Sequence, residues 1–195
     1  MIIGITGGTG CGKTTLLEVV KDLGGTVLDC DAIYHGLLTT DKAMLAAIGQ
    51  RFPGTVENGL LNRKKLGNIV FADANALEDL NSITHSAIKQ EVIRRLAHNP
   101  PLAAIDAIAL FEGGLAELCQ LTIAVTAPRD ARIARLMARD GITRKYAIAR
   151  IDAQPGEDYF QKMCDHVLEN NGSPQAFREK CLVFFTQLGI MKEKP

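Results

Sequence analysis

The sequence has no net charge: 22 basic residues balance 22 acidic ones over 195 positions. Such a chain has no global field to draw it onto nucleic acid or an anionic membrane, so any basic patch that matters must be local. The five cysteines are scattered singly, with no C-x-x-C pair. That argues against a disulfide framework or a zinc site and fits a reducing compartment. No apolar run approaches the length of a membrane span. The chain opens on an apolar run, without the charged region and cleavage site of a secretory leader. The expectation is a cytoplasmic protein with neither nucleic acid nor membrane as partner. Internal repeats, low-complexity tracts and long linkers are also lacking. With 47% of residues apolar, this points to one domain with a real core.

Against this background one stretch stands out. Ile2-Ile3-Gly4-Ile5 leads into Gly7-Gly8-Thr9-Gly10-Cys11-Gly12-Lys13-Thr14-Thr15, and a helical pattern, Leu16-Leu17-Glu18-Val19-Val20, follows. Gly7, Gly12, Lys13 and Thr14 satisfy the phosphate-binding pattern G-x-x-x-x-G-K-S/T, in the strand–loop–helix context its mechanism requires. Glycines let the backbone curl until successive N–H groups face phosphate oxygens. A helix starting at about Lys13 adds the positive end of its dipole. The candidate nucleotide contacts are therefore Gly8, Thr9, Gly10, Cys11, Gly12, Lys13, Thr14 and Thr15. Lys13 can reach the β- and γ-phosphates, and the Thr14 hydroxyl can ligate Mg²⁺.

Along the chain, short apolar runs alternate with helical spacing. Strands are predicted at 2–6, 26–29, 102–110, 121–126 and 166–169. Helices are predicted at about 13–23, 32–38, 41–51, 62–71, 128–139, 143–154 and 173–188, with Leu77, Leu80, Ile83, Thr84, Ala87 and Ile88 on the face of another. The segment from Val56 to His98 reads as helices with short links, and Met191 to Pro195 as a polar tail. Alternation of this kind implies a parallel sheet wound by helices on both faces. The fold class is α/β: a three-layer, five-stranded fold of the phosphate-loop nucleoside-triphosphate hydrolase type. Ligands in such sheets bind at the carboxyl ends of the strands. The phosphate loop, Asp31, Glu112 and the Asn171 turn all fall there.

Several side chains at that edge invite chemistry. Asp29 and Asp31 are two apart, hence on one side if the strand persists. A carboxylate beside a bound triphosphate can hold Mg²⁺ through water or accept a proton from an attacking hydroxyl. Asp31 lies nearer the ligand edge; the alternative is that it caps the following helix. Arg132, Arg135 and Arg139 share a helix face, with Arg144, Lys145 and Arg150 nearby. Arginine forks stabilise a transferring phosphoryl group, so this basic hairpin reads as a lid over ATP. The alternative is a solvated face paired with Asp130, Glu157 and Asp158. Glu112 ends an apolar strand and can touch Mg²⁺-bound water, orient an arginine, or be a plain loop acid. His85 lies on a mostly apolar helix face, where a satisfied buried histidine is the first expectation. Cys11 reads as a small filler of the loop. Arg63, Lys64 and Lys65 either meet an anionic substrate or form a solvated face.

Together these pieces resemble the dephospho-coenzyme A kinase family, nearly end to end. The resemblance is carried by Gly4 through Thr15, by Asp29-Cys30-Asp31-Ala32-Ile33, by Asn62-Arg63-Lys64-Lys65-Leu66-Gly67 with Val70-Phe71, and by Thr84-His85. Ala109-Leu110-Phe111-Glu112, Arg135 through Gly141 with Arg150-Ile151 and Gln154, and Asp165 through Ser173 complete it. It implies ATP-dependent phosphorylation of the ribose 3′-hydroxyl of dephospho-coenzyme A, the last step of coenzyme A synthesis. Asp31 would be the base, Lys13 and the loop amides the phosphate cradle, Thr14 a Mg²⁺ ligand and Arg139 a lid contact to ATP. Asn171 and Gly172 would lie near the adenine, and His85 with Arg63 and Lys64 would border the acceptor. The chain would be one kinase domain, 1–195, with a helical acceptor-binding insertion at about 32–98 and a lid at about 128–156. It would act as a monomer or small homo-oligomer. Tyr34-His35, Ser86 and Ala109 depart from the family's usual pattern, which has Arg a few residues after the aspartate, Pro after the histidine and Pro early in the strand-end motif. Rival readings are a kinase for a nucleoside or other small alcohol, and a nucleotide-binding regulatory ATPase. The absence of an N-K-x-D guanine signature disfavours a GTPase.

Overall fold

The computed structural model describes residues 1–190, so the expected polar tail from Met191 to Pro195 lies outside the described residues. The chain begins with β1 (Ile2–Thr6), α1 (Lys13–Asp22) and β2 (Thr26–Asp29). A helical block follows: α2 (Cys30–Thr40), α3 (Lys42–Arg51), a small hairpin of β3 (Val56–Glu57) and β4 (Leu60–Leu61), α4 (Arg63–Val70) and the long α5 (Ala74–Leu96). The second half runs β5 (Ala103–Asp106), β6 (Leu121–Thr126), α6 (Arg129–Asp140), α7 (Arg144–Asp152), α8 (Glu157–Met163), β7 (His166–Glu169) and α9 (Pro174–Gln187).

The main sheet has the order β2-β5-β1-β6-β7, and every pairing in it is parallel. The expected five-stranded parallel sheet is therefore present. The apolar β1 lies at its centre, where both faces are covered: Ile3 and Ile5 are fully buried. On one face α1 and α9 pack Leu16, Val19, Val20, Phe177 and Phe185 against Ile3, Ile5 and Val125. On the other, the helical block packs Ile33, Ile48, Phe52 and Val92 against Leu28 and Ile105. A third cluster, Ile133, Leu136, Ala147 and Ile151, joins α6 to α7. No helix among the described residues is long and apolar enough to cross a membrane.

Local signals set most helix starts. Asp41, Asn62, Asp73, Thr143 and Ser173 each accept a backbone N–H of their own first turn. Three expectations need correction. First, α2 begins before the expected Ala32: Asp29 caps it, accepting the Ala32 N–H at 3.0 Å, so the alternative that Asp31 is the cap is not realised. The helix therefore starts at Cys30, and Asp31 stands in its first turn instead of continuing the strand beside Asp29. Second, β5 ends at Asp106 instead of running on to 110, because its neighbour β1 turns away into the phosphate loop one residue beyond the last rung, Ile5 with Asp106. Third, the Val56 to His98 segment is not wholly helical. Asn58 and Gly59 both take positive φ, 52° and 76°, as a tight two-residue hairpin turn requires.

Candidate active site

Because all five strands run the same way, their carboxyl ends share one edge, with the loop after β1 at its middle. Gly7, Gly10 and Gly12 take φ of 138°, 80° and 96°, values that a side chain rarely permits. Gly12 starts α1 without a side-chain cap, which leaves the first helical N–H groups free for an anion. The outward carbonyls of the loop are all held. Arg132 Nε donates to Thr9 O at 3.0 Å, and Arg135 Nη1 to the Gly10 and Cys11 carbonyls at 3.3 Å. Asn170 Nδ2 donates to Cys11 O at 2.9 Å. With the Thr9 and Cys11 carbonyls held from behind, the N–H groups of Gly10 and Gly12 on the opposite sides of those peptides have no backbone partner among the described residues, while the Cys11 N–H closes a turn on Gly8 O at 3.3 Å.

The cleft in front of the loop measures about 700 Å³. Gly8, Thr9, Gly10, Gly12, Lys13 and Thr14 line it, and across it stand Asp31, Asp106, Arg135, Arg139 and Arg150. Lys13 Nζ rests on Gly7 O at 3.0 Å. Asp106 is the acid that sequence reasoning passed over. It ends β5 directly beside β1, in register with Ile5 on one side and Asp29 on the other. Burial pushes its carboxyl up from 3.8 to about 6; nearby Lys13 opposes the rise, and Asp29 and Asp31 add to it. Its Oδ1 is buried without a hydrogen-bond partner among the described residues. Its signal in the sequence is that it is the one acid in the apolar run 102–110.

A second cavity of about 300 Å³ adjoins the first. Its walls are mainly apolar, with Tyr34, Leu80, Thr84, His85 and Ile88 from the helical block. Asp31 lines both cavities and stands where they meet. Beyond Tyr34 a smaller groove carries Arg63, Leu66 and Phe71, the last 86% exposed. Lys64 is exposed and lines neither cavity.

The remaining candidates divide. Cys11 is buried behind the loop, and burial raises its thiol pKa. Thr9 lines the cleft, but its N–H is taken by Gln154 Oε1 at 2.7 Å. Thr15 is half-buried at the start of α1 and does not line the cleft. Asn171 and Gly172 are exposed outside the cleft lining; Asn170 is the residue of that turn that reaches the loop. Arg139 pairs with Asp140 at 2.7 Å, and Arg150 pairs with the same acid at 2.7 Å. These guanidinium bonds hold the Asp140 carboxyl down at about 2. Glu112 accepts a 2.6 Å hydrogen bond from Tyr159 of α8, a link no sequence signal announced.

A sequence model of the dephospho-CoA kinase family matches residues 1–175. The chain belongs to this family. It is 38% identical over 185 residues to the dephospho-CoA kinase of Anaeromyxobacter dehalogenans, spanning 92% of this chain and 88% of that one. Among solved structures, the dephospho-CoA kinase from Campylobacter jejuni superposes with a TM-score of 0.68 at 26% identity, over 97% of this chain and 98% of the other. Shikimate kinase from Acinetobacter baumannii, at 17% identity and a TM-score of 0.56, shares the fold alone. Family membership fits the site: a phosphate loop, a facing acid and an adjoining pocket are what a small-molecule kinase needs.

Proposed function

We propose that the protein transfers the γ-phosphoryl group of ATP to the ribose 3′-hydroxyl of dephospho-coenzyme A, giving coenzyme A and ADP. The observation that carries this reading is the position of Asp31 in the wall common to the nucleotide cleft and the neighbouring pocket. A hydroxyl presented from that pocket would meet the γ-phosphate beside this carboxylate. Asp31 then orients the hydroxyl and accepts its proton as the oxygen attacks phosphorus in line, while the bond to the β-phosphate oxygen breaks and ADP departs. Lys13, the loop amides and the lid arginines, Arg139 first, absorb charge on the transferring oxygens.

Thr14 and Asp106 fit a divalent cation. Both line the cleft, and the unpartnered buried Oδ1 of Asp106 suits a cation or a water bound to one. Mg²⁺ held there would neutralise charge between the β- and γ-phosphates. This reading gives the helical block at about 32–98 to the acceptor, with His85 and Arg63 beside the pocket and Lys64 at its periphery. The hairpin at about 128–156 is the lid of a single kinase domain. Asn171 and Gly172 lie toward the adenine. The enzyme works in the cytoplasm as a monomer or small homo-oligomer.

The test is ADP release from Mg-ATP with dephospho-coenzyme A, beside a nucleoside panel and a no-acceptor control. ADP formed only with dephospho-coenzyme A, with coenzyme A as product, is the expected result. Turnover with a nucleoside would overturn the acceptor, and acceptor-independent hydrolysis would overturn the transfer reaction itself.

A further inference from the structure

Arg132 does not behave like the other lid arginines. It is only 6% exposed, and no acid among the described residues forms an ion pair with it. Its Nε holds Thr9 O, and its Nη2 is buried without a hydrogen-bond partner among the described residues. A buried guanidinium with no counter-charge is costly, far beyond what a single carbonyl contact returns. Such a group is tolerable where the missing negative charge arrives with a ligand. Arg132 lines a separate cavity, with Gln154 and, without pairing to them, Asp152 and Glu157, so Nη2 meets the nucleotide cleft through the loop. Nη2 abuts Gly8, where any Cβ would overlap it, and Gly8 lines the nucleotide cleft. The charge also reaches the interior of the loop: Arg132, with Lys13, opposes the rise that burial imposes on the Cys11 thiol.

We propose that Arg132 is a positioning residue for the polyphosphate. It acts through the loop from behind: a buried cation whose counter-charge is the nucleotide's phosphates, and the fixed side of a clamp on one loop residue. Arg132 in α6 holds the Thr9 carbonyl, while Gln154, just past α7, holds the Thr9 N–H. Both helices of the lid are thereby tied to the same loop residue. A Cβ at position 8 would have to displace the Arg132 guanidinium from its place behind the loop. The proposal rests on the phosphoryl-transfer reading only in taking a polyphosphate as the ligand.

The experiment is ADP titration by calorimetry on the full chain, wild type against Arg132→Gln, Arg132→Lys, Arg132→Ala, Gly8→Ala and the double variant Gly8→Ala/Arg132→Ala, each first checked for folding by thermal melt. Loss of a charged hydrogen-bonding group predicts that Arg132→Gln weakens ADP binding about 10- to 100-fold. Arg132→Lys, which keeps the charge, should lose less. Gly8→Ala should weaken binding as well, and the loss in the double variant should be smaller than the product of the single losses, because the group the new methyl strikes is gone. Wild-type ADP affinity in a folded Arg132→Gln, or losses that simply multiply in the double variant, would overturn the proposal and leave Arg132 a structural residue. If Arg132→Gln does not fold, the Lys and double variants still decide. A wild-type protein that binds ADP but ignores dephospho-coenzyme A would refute the acceptor reading without touching this one.

Discussion

Asp106→Asn should make the nucleotide-free protein more stable and the enzyme inactive. In the folded chain burial raises the carboxyl from 3.8 to about 6. A shift of about two units corresponds to about 3 kcal/mol of cost for holding the charged form at this position. The sign follows from the direction. The folded-state pKa lies above the unfolded one, so the carboxylate penalises folding. That penalty is fully present above about pH 6, shrinks as pH falls through 6, and vanishes below 3.8. Asparagine keeps the shape and carries no charge. Denaturation of the two proteins without nucleotide should therefore show the variant more stable by roughly 2–3 kcal/mol at pH 8, with the gap closing steadily toward pH 4. Turnover with Mg-ATP should fall by at least about 100-fold, because a neutral amide cannot replace the acid that lines the cleft with Thr14 and Lys13. An Asn variant no more stable than wild type at pH 8, or a gap that ignores pH, would refute the reading of Asp106 as a strained buried acid kept for the cation.

Other perturbations test separate parts of the structure. Asp31→Asn should lower kcat by about 10²–10⁴ while ATP affinity changes little, as measured by steady-state kinetics; full activity would remove Asp31 from the reaction. All five thiols should resist alkylation in the folded protein at pH 8. Burial raises each of them, Cys30 and Cys119 to about 12 and Cys164 and Cys181 to about 11, and only denaturation should release them to iodoacetamide. Rapid native-state labelling of Cys11 would contradict its placement behind the loop. Gly59→Ala puts a side chain at φ 76° with nothing within 4 Å of its Cβ, so the change is strain alone. Chemical denaturation should register about 1 kcal/mol of lost stability, with kinetics unaltered.

The sequence by itself determined whatever depends on a few consecutive residues. Gly7, Gly10 and Gly12 make the loop because only a chain without Cβ atoms there curls at φ of 80° to 138° without strain. Asp41, Asn62, Asp73, Thr143 and Ser173 start helices because each side chain bonds its own first turn. The strands were readable as apolar runs, and their alternation with helices dictated a parallel sheet. Even the missed hairpin was written locally, in Asn58-Gly59. Asp29 and Asp31 mark the boundary of this kind of reading: both acids are capable of capping, and only the backbone geometry at the end of β2 assigned that task to Asp29.

Tertiary structure alone decided which distant groups share the site. Asp106 faces Lys13 because the strand order places β5, a hundred residues away in the chain, beside β1. No local rule weighs such a pairing. The same holds for the arginine face of α6. Its spacing put Arg132, Arg135 and Arg139 together, but packing of α6 beside the loop divided their work. Arg132 and Arg135 turn inward to bind loop carbonyls, while Arg139 remains at the cleft with Asp140. Periodicity states which side chains share a face; what that face meets is set by the long-range contacts that bury it.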